Sequence, residues 1–240
     1  YDSADEFLRE ISWSQPAEKV YQVEILLNEK QQWGFDASYE GNDLILEIMK
    51  PPAKLSLKNL FIGLDPGHGP DEGAIGPTRL TERDANLQTA EILKKKLEEK
   101  GARVFLTRHD RHGITLAARA RVAALLQPDL LVSLHYNALP DGVDPFRNRG
   151  SSTYYYQPQS RALAVAIQKR MVEKLKLANY GLFYDNLAIC RVTQMPVVLV
   201  EPAFIMHPEE EMLIRNKKFM EKTADAIVKG IEDFLKQARE

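Results

Sequence analysis

From residue 60 onward, the apolar positions of the chain follow two spacings in turn. Short apolar runs fall at 60–64 (LFIGL), 103–107 (RVFLT), 130–135 (LLVSLH), 152–156 (STYYY) and 197–201 (VVLVE). Between them, apolar residues recur three or four apart. Leu87, Ala90, Leu93 and Leu97 do so within 85–99, and Ala164, Ile167, Met171 and Leu175 within 159–176. Ala224, Ile227, Ile231 and Phe234 repeat the pattern within 217–235, and 115–126 is Ala-rich. The first spacing predicts strands and the second helices. The runs at 130–135 and 197–201 are apolar without alternation, as expected of strands buried on both faces. Strand–helix alternation predicts an α/β fold, a mostly parallel sheet flanked by helices.

Before residue 55 the texture differs. Phe7, Leu8, Ile11 and Trp13 are scattered among polar residues, and 1–15 predicts a short helix. Residues 20–27 (VYQVEILL) and 44–48 (LILEI) alternate with a period of two, with turn chemistry (EGND) before the second. They read as antiparallel strands too few to form an independent domain. KPPAK at 50–54 reads as a linker. The expected organisation is a small β-rich segment over 1–54, the tail of a larger domain, followed by an α/β domain over 55–240. The chain opens on Tyr1 without a signal-peptide pattern, which reads as a processed or trimmed fragment.

Composition narrows the function classes. A net charge of −2 gives no electrostatic footprint for nucleic acid. No apolar run approaches the roughly 20 residues of a membrane span. One cysteine, Cys190, excludes an intrachain disulfide and a Cys-rich zinc site, and reads as a small core residue.

The candidate chemistry lies where strands end. The run at 60–64 leads to His68, that at 130–135 ends on His135, and that at 197–201 ends on Glu201. In open α/β sheets such ends face one crevice. Glu82, in LTERDANL, adds a carboxylate just before a helix, with Asp84 as its alternative. Two histidines and one carboxylate are a ligand set for catalytic zinc. A further carboxylate, Glu201, is then the carrier of a proton to a leaving amine. Each residue also has a plainer reading: a satisfied buried histidine, a helix-capping carboxylate, a charge that ends a strand. His109, His112 and His207 read as loop residues outside the site. The stretch GLDPGHGPDEGAIG (63–76) poses a choice of its own. Its glycines either cradle a phosphate or clear room for His68 to reach a metal. The spacing of Gly67, Gly69 and Gly73 is not G-x-G-x-x-G and no Walker lysine follows, which disfavours phosphate. No G-x-S-x-G occurs.

Taken together, LDPGHGPDEGAIG, LTERDANL, LTRHD, LAARARVA, LLVSLHYNA, RGSSTYYY and MPVVLVEPAFIMHPEEEMLI resemble the zinc-dependent N-acetylmuramoyl-L-alanine amidases of the amidase-3 type. The resemblance covers 60–235. It implies hydrolysis of the bond between N-acetylmuramic acid and the stem-peptide L-alanine of bacterial peptidoglycan. It implies a Zn²⁺ cofactor held by His68, Glu82 and His135, with Glu201 as the catalytic carboxylate. Arg108 and Arg119 match family arginines, structural or substrate-orienting, and Asn137 of S-L-H-x-N joins them as a substrate candidate. The resemblance further implies an extracytoplasmic monomer. Two segments depart from the family, FIMHPEEE (204–211) and NYGLFYDNLAI (179–189). Some relatives insert a long plugging helix after S-L-H-x-N. Here only the loop 138–149, with two prolines and a glycine, intervenes, so no activator is expected. Other readings are a different zinc peptidase or deacylase acting on wall peptides, and a wall-binding relative without catalysis.

Overall fold

The computed structural model describes residues 6–239. In chain order the strands are β1 (Leu8–Ala17), β2 (Val20–Leu27), β3 (Phe35–Glu40), β4 (Asp43–Ile48), β5 (Phe61–Pro66), β6 (Arg103–Leu106), β7 (Leu130–Leu134), β8 (Ser151–Tyr155), β9 (Asn179–Tyr184) and β10 (Val197–Glu201). The helices are α1 (Glu82–Glu99), α2 (Leu116–Leu126), α3 (Arg161–Leu175), α4 (Pro208–Ile214) and α5 (Lys217–Gln237).

Six strands form one sheet in the order β6-β5-β7-β10-β8-β9. β6, β5, β7 and β10 run parallel. β8 opposes β10, and β9 runs parallel to β8. The expected mostly parallel sheet is present, with one reversal that the sequence did not announce.

The unbroken apolar runs of β7 and β10 are covered on both sides. Leu130, Val132, Leu134, Val198 and Val200 enter a large core with α1, α3 and α5. Leu131, Val197 and Leu199 enter a smaller one with Ala123 of α2, Ile189 and Cys190. Fully burying side chains of this size contributes about 1.5–3 kcal/mol each. α5 shows why its stripe was readable: Ala224, Ile227, Ile231 and Phe234 are all buried. Its Asn216 cap accepts from the Lys218 N–H, satisfying one of the helix's unpaired donors. Cys190 lies in the smaller core as expected, and burial pushes its thiol up to about 12.

The N-terminal segment corrects one expectation. Residues 8–17 form a strand, not a helix; the part of that helix on 1–5 lies outside the described residues. Leu8, Ile11 and Trp13 make no helical stripe, and the partner strand decides. Ile11 pairs with Ile25 and Trp13 with Val23 across the β1–β2 hairpin. β3 and β4 make a second hairpin. Between the two, residues 31–36 tie into the α/β body. Trp33 is buried with its ring centroid 5.4 Å from that of Phe234. The Phe35 N–H donates to the Thr193 carbonyl, and Gln31 Nε2 to that of Gln159.

Candidate metal centre

The site is assembled at the C-terminal edge of β5, β7 and β10, where an open α/β sheet leaves a crevice. β5 ends in Pro66, and the following loop carries His68 at φ 65°, a left-handed conformation that costs a non-glycine residue about 1–2 kcal/mol. β7 delivers His135, whose N–H donates to the Val200 carbonyl. Glu82 opens α1, where a carboxylate is favoured by the helix dipole, and Thr81 caps it by accepting from the Asp84 N–H.

Glu82 is the hub. Its Oε1 faces His135 Nδ1 at 2.8 Å and the Tyr136 N–H at 3.2 Å. Its Oε2 faces His68 Nε2 at 2.9 Å and the Ala74 N–H at 3.0 Å. Burial alone would raise the Glu82 carboxyl, but hydrogen bonds to His135 and then His68 outweigh it and hold it well below the usual carboxylate range. For His68, burial opposes the charge, yet hydrogen bonding to Glu82 and then Asp71 raises it. The other ring nitrogen of His68, Nδ1, lies 2.5 Å from Asp71 Oδ1. Asp71 thereby fixes which nitrogen His68 turns inward, as outer-shell carboxylates do for ligating histidines. Of Glu82 and Asp84, it is Glu82 that faces both histidines; Asp84 pairs with Arg111 at 2.9 Å.

The glycines answer the question raised by 63–76. A Cβ on Gly67 would stand 2.2 Å from the His135 ring. One on Gly73 would stand 2.5 Å from the His68 ring and 2.7 Å from Glu82 Oε2. Both clear space for the rings. The donor atoms of His68, Glu82 and His135 lie within 4.8 Å of one another. Two imidazoles and a carboxylate, with no thiolate, fit a catalytic rather than a closed structural zinc site.

Glu201 ends β10 within electrostatic reach of Glu82 and His68. Burial, reinforced by the Glu82 charge, pushes its carboxyl up to about 8. Its Oε2 is buried and has no hydrogen-bond partner among the described residues.

The three candidates for substrate contact are directed inward. Arg108 is buried, and its guanidinium donates to the carbonyls of Pro66 (2.8 Å), Gly67 (2.9 Å), Arg83 (2.7 Å) and Asp110 (2.8 Å). It clasps the His68 loop to the start of α1. Arg119 is buried against Asp65 at 3.1 Å, whose carboxylate also accepts from Thr107 and Ser133. Asn137 Nδ2 donates to Ser152 Oγ at 3.3 Å and Tyr154 Oη at 3.5 Å. For both arginines this is the structural alternative of the two open in the sequence. His109 and His112 stay outside the site on an exposed loop, but His207 is buried, just before α4 and under Phe146. Asp71 and Ser152 escaped the sequence reading. An acidic residue three after the D-P-G-H-G histidine was the available signal for Asp71.

Residues 62–233 match the family model described as N-acetylmuramoyl-L-alanine amidase. The chain belongs to this family. The amidase is 30% identical over 218 residues to the probable cell wall amidase LytH of Staphylococcus saprophyticus, covering 90% of this chain and 72% of that protein. It is 36% identical over 179 residues to the uncharacterized protein YqiI of Bacillus subtilis, covering 72% of this chain and 84% of the relative. Among solved structures, the amidase of Clostridium difficile 630 matches with a TM-score of 0.70 at 34% identity, over 75% of this chain and 98% of that one. The CwlD amidase of Clostridioides difficile, solved in complex with the GerS lipoprotein, matches with a TM-score of 0.69 at 27% identity, over 75% of this chain and 100% of its own. The amidase hydrolyses the bond between N-acetylmuramic acid and L-alanine in peptidoglycan.

Proposed function

We propose that the amidase works through zinc held by His68, Glu82 and His135, with Glu201 as its proton carrier. The observation that carries this reading is the convergence of both histidines on the two oxygens of Glu82, beside a second carboxylate that is differently charged. Zinc bound there supplies hydroxide at neutral pH by lowering the pKa of water to about 7. The protein's own residues divide the remaining work. Glu82 stays ionised because its histidine partners outweigh its burial, so it remains a ligand. Glu201, raised to about 8, exchanges a proton near neutral pH, as a group that takes a proton and passes it to the leaving amine must. Asp71 and Arg108 hold the His68 loop in place.

The test is Glu201→Gln, measured for zinc content and for turnover on purified peptidoglycan. General acid–base catalysis contributes about 10²–10⁴-fold, so turnover falls by that factor while zinc stays at wild-type content. His68→Ala loses both. A Glu201→Gln enzyme with wild-type turnover ends the assignment.

The amidase acts on the wall outside the cytoplasm, as a monomer and without an activating partner. In support, residues 138–149 hold turns and no helix, and His68 and His135 keep side-chain exposures of 24% and 17%. The β-rich N-terminal segment, joined to the α/β body through residues 31–36, is then the part that places the catalytic domain on the wall. No helix among the described residues is long and apolar enough to cross a membrane. The relative solved with a lipoprotein marks the other outcome: strict dependence of digestion on an added protein would reject activator independence.

A further inference from the structure

β8 is the strand that reverses direction beside β10, and this brings its beginning, rather than its end, to the crevice. The pairing places Ser152 directly across from Glu201. Directly opposed residues of an antiparallel pair share one face, with Cβ atoms about 4.5–5.5 Å apart. Ser152 is fully buried.

A serine hydroxyl has one proton to give and two lone pairs to fill. Asn137 Nδ2 donates to Ser152 Oγ and fills one of them. The Tyr154 hydroxyl joins the same cluster through Asn137 Nδ2, at 3.5 Å. Ser152, directly across from Glu201 in the strand register, is placed to give its proton to the carboxylate. With Asn137 Nδ2 donating to the hydroxyl and Glu201 facing it, the geometry points from amide to hydroxyl to carboxylate. Asn137 is itself held at both backbone groups, its N–H donating to the Ala203 carbonyl and its carbonyl accepting from the Ile205 N–H. The chain of bonds thus starts from a fixed point.

Glu201 Oε2 has no partner among the described residues. Ser152 is placed to hold one oxygen of the carboxylate to β8, while Oε2 is buried and unpaired among those residues. A group that carries a proton on every turnover needs this asymmetry, because a misplacement of about 1 Å at a reacting atom can cost on the order of 10²-fold. We propose that Ser152, oriented by Asn137, is a positioning residue that fixes one oxygen of Glu201 so that the other returns to the same place in each cycle. This rests on the reading of Glu201 as the proton carrier.

The experiment compares wild type, Ser152→Ala, Glu201→Gln and the double variant, on a soluble N-acetylmuramoyl peptide. kcat, KM, bound zinc and thermal midpoint are measured for each. A hydrogen bond to a charged group is worth roughly 10- to 100-fold, so kcat of Ser152→Ala falls by that factor with KM and zinc unchanged. In the Glu201→Gln background the same substitution has no further effect, because the group it positions is gone. Asn137→Ala is the second variant, and it carries the test if Ser152→Ala does not fold. It loses kcat in the wild-type background and nothing in Glu201→Gln. Ser152→Ala with wild-type kcat overturns the proposal. So does an equal loss in both backgrounds, which marks a generally structural serine. Wild-type turnover in Glu201→Gln alone is a distinct result that removes the carrier assignment, and the proposal with it.

Discussion

Gly67→Ala probes the centre with a single methyl group on a residue that ligates nothing. The added Cβ would stand 2.2 Å from Cε1 and Nε2 of His135 and 2.6 Å from its Cδ2. Carbon atoms rest about 3.5–4.0 Å apart, so the ring must retreat by about 1.3–1.8 Å. That breaks the 2.8 Å contact between His135 Nδ1 and Glu82. Metal–ligand distances tolerate only about 0.2 Å, so the substitution amounts to removing a ligand. Losing an outer-shell partner already costs about 10–100-fold in affinity; zinc affinity here falls by at least about 100-fold. The fold loses much less, because His135 is 17% exposed and has room to swing outward. Overpacking of this kind costs about 1–3 kcal/mol. Chelator competition measures the first effect, and urea melts of metal-stripped protein the second. Gly142→Ala is the control: its Cβ meets nothing within 4 Å, so only the positive φ of 83° is penalised and zinc affinity holds. A folded Gly67→Ala protein that binds zinc like wild type would refute the steric account.

Asp71→Asn keeps the size of the side chain but removes the charge facing His68 Nδ1; zinc affinity falls by about 10–100-fold with the melting temperature nearly unchanged, and an unaltered affinity rejects the orienting role. In metal-stripped protein the raised pKa of His68 means its pairing stabilises fully below about pH 6.5 and is lost as pH rises through the folded value. Glu201, raised from 4.5 to about 8, acts in the same direction, so melting temperature declines as pH rises between those values and declines less in Glu201→Gln; equal slopes in the two proteins would count against it. Arg119→Met leaves the Asp65 carboxylate buried without its cation, which costs about 3–5 kcal/mol in urea denaturation, and a loss under about 1 kcal/mol contradicts the pairing.

The sequence showed the α/β alternation because buried strands and one-sided helices leave distinct spacings. It showed His68, His135 and Glu201 because each follows an apolar run. What escaped it depends on partners. Residues 8–17 became a strand through pairing with β2, and their own spacing carries no such signal. β9 (NYGLFY) carries no alternating run that marks it as a strand, and it forms through its pairing with β8, where Leu182 and Phe183 lie against Thr153 and Tyr154. α4 is only seven residues long, too short for a periodicity to show. The reversal of β8 has no local mark at all, and with it Ser152 was invisible as a neighbour of Glu201. The inward course of Arg108 and Arg119 likewise depends on carbonyls and carboxylates that only the folded chain brings near.

The hub at Glu82 also has a consequence in time. Its two partners belong to distant stretches, and His135 lies 53 positions farther along the chain. Until β7 has joined β5 and α1 has packed across them, these side chains meet no more often than the ends of a free loop. Contacts that form after the folding transition state govern how fast a chain unfolds and leave its folding rate alone. Filling the centre therefore shows as longer survival in denaturant, with the speed of refolding unchanged.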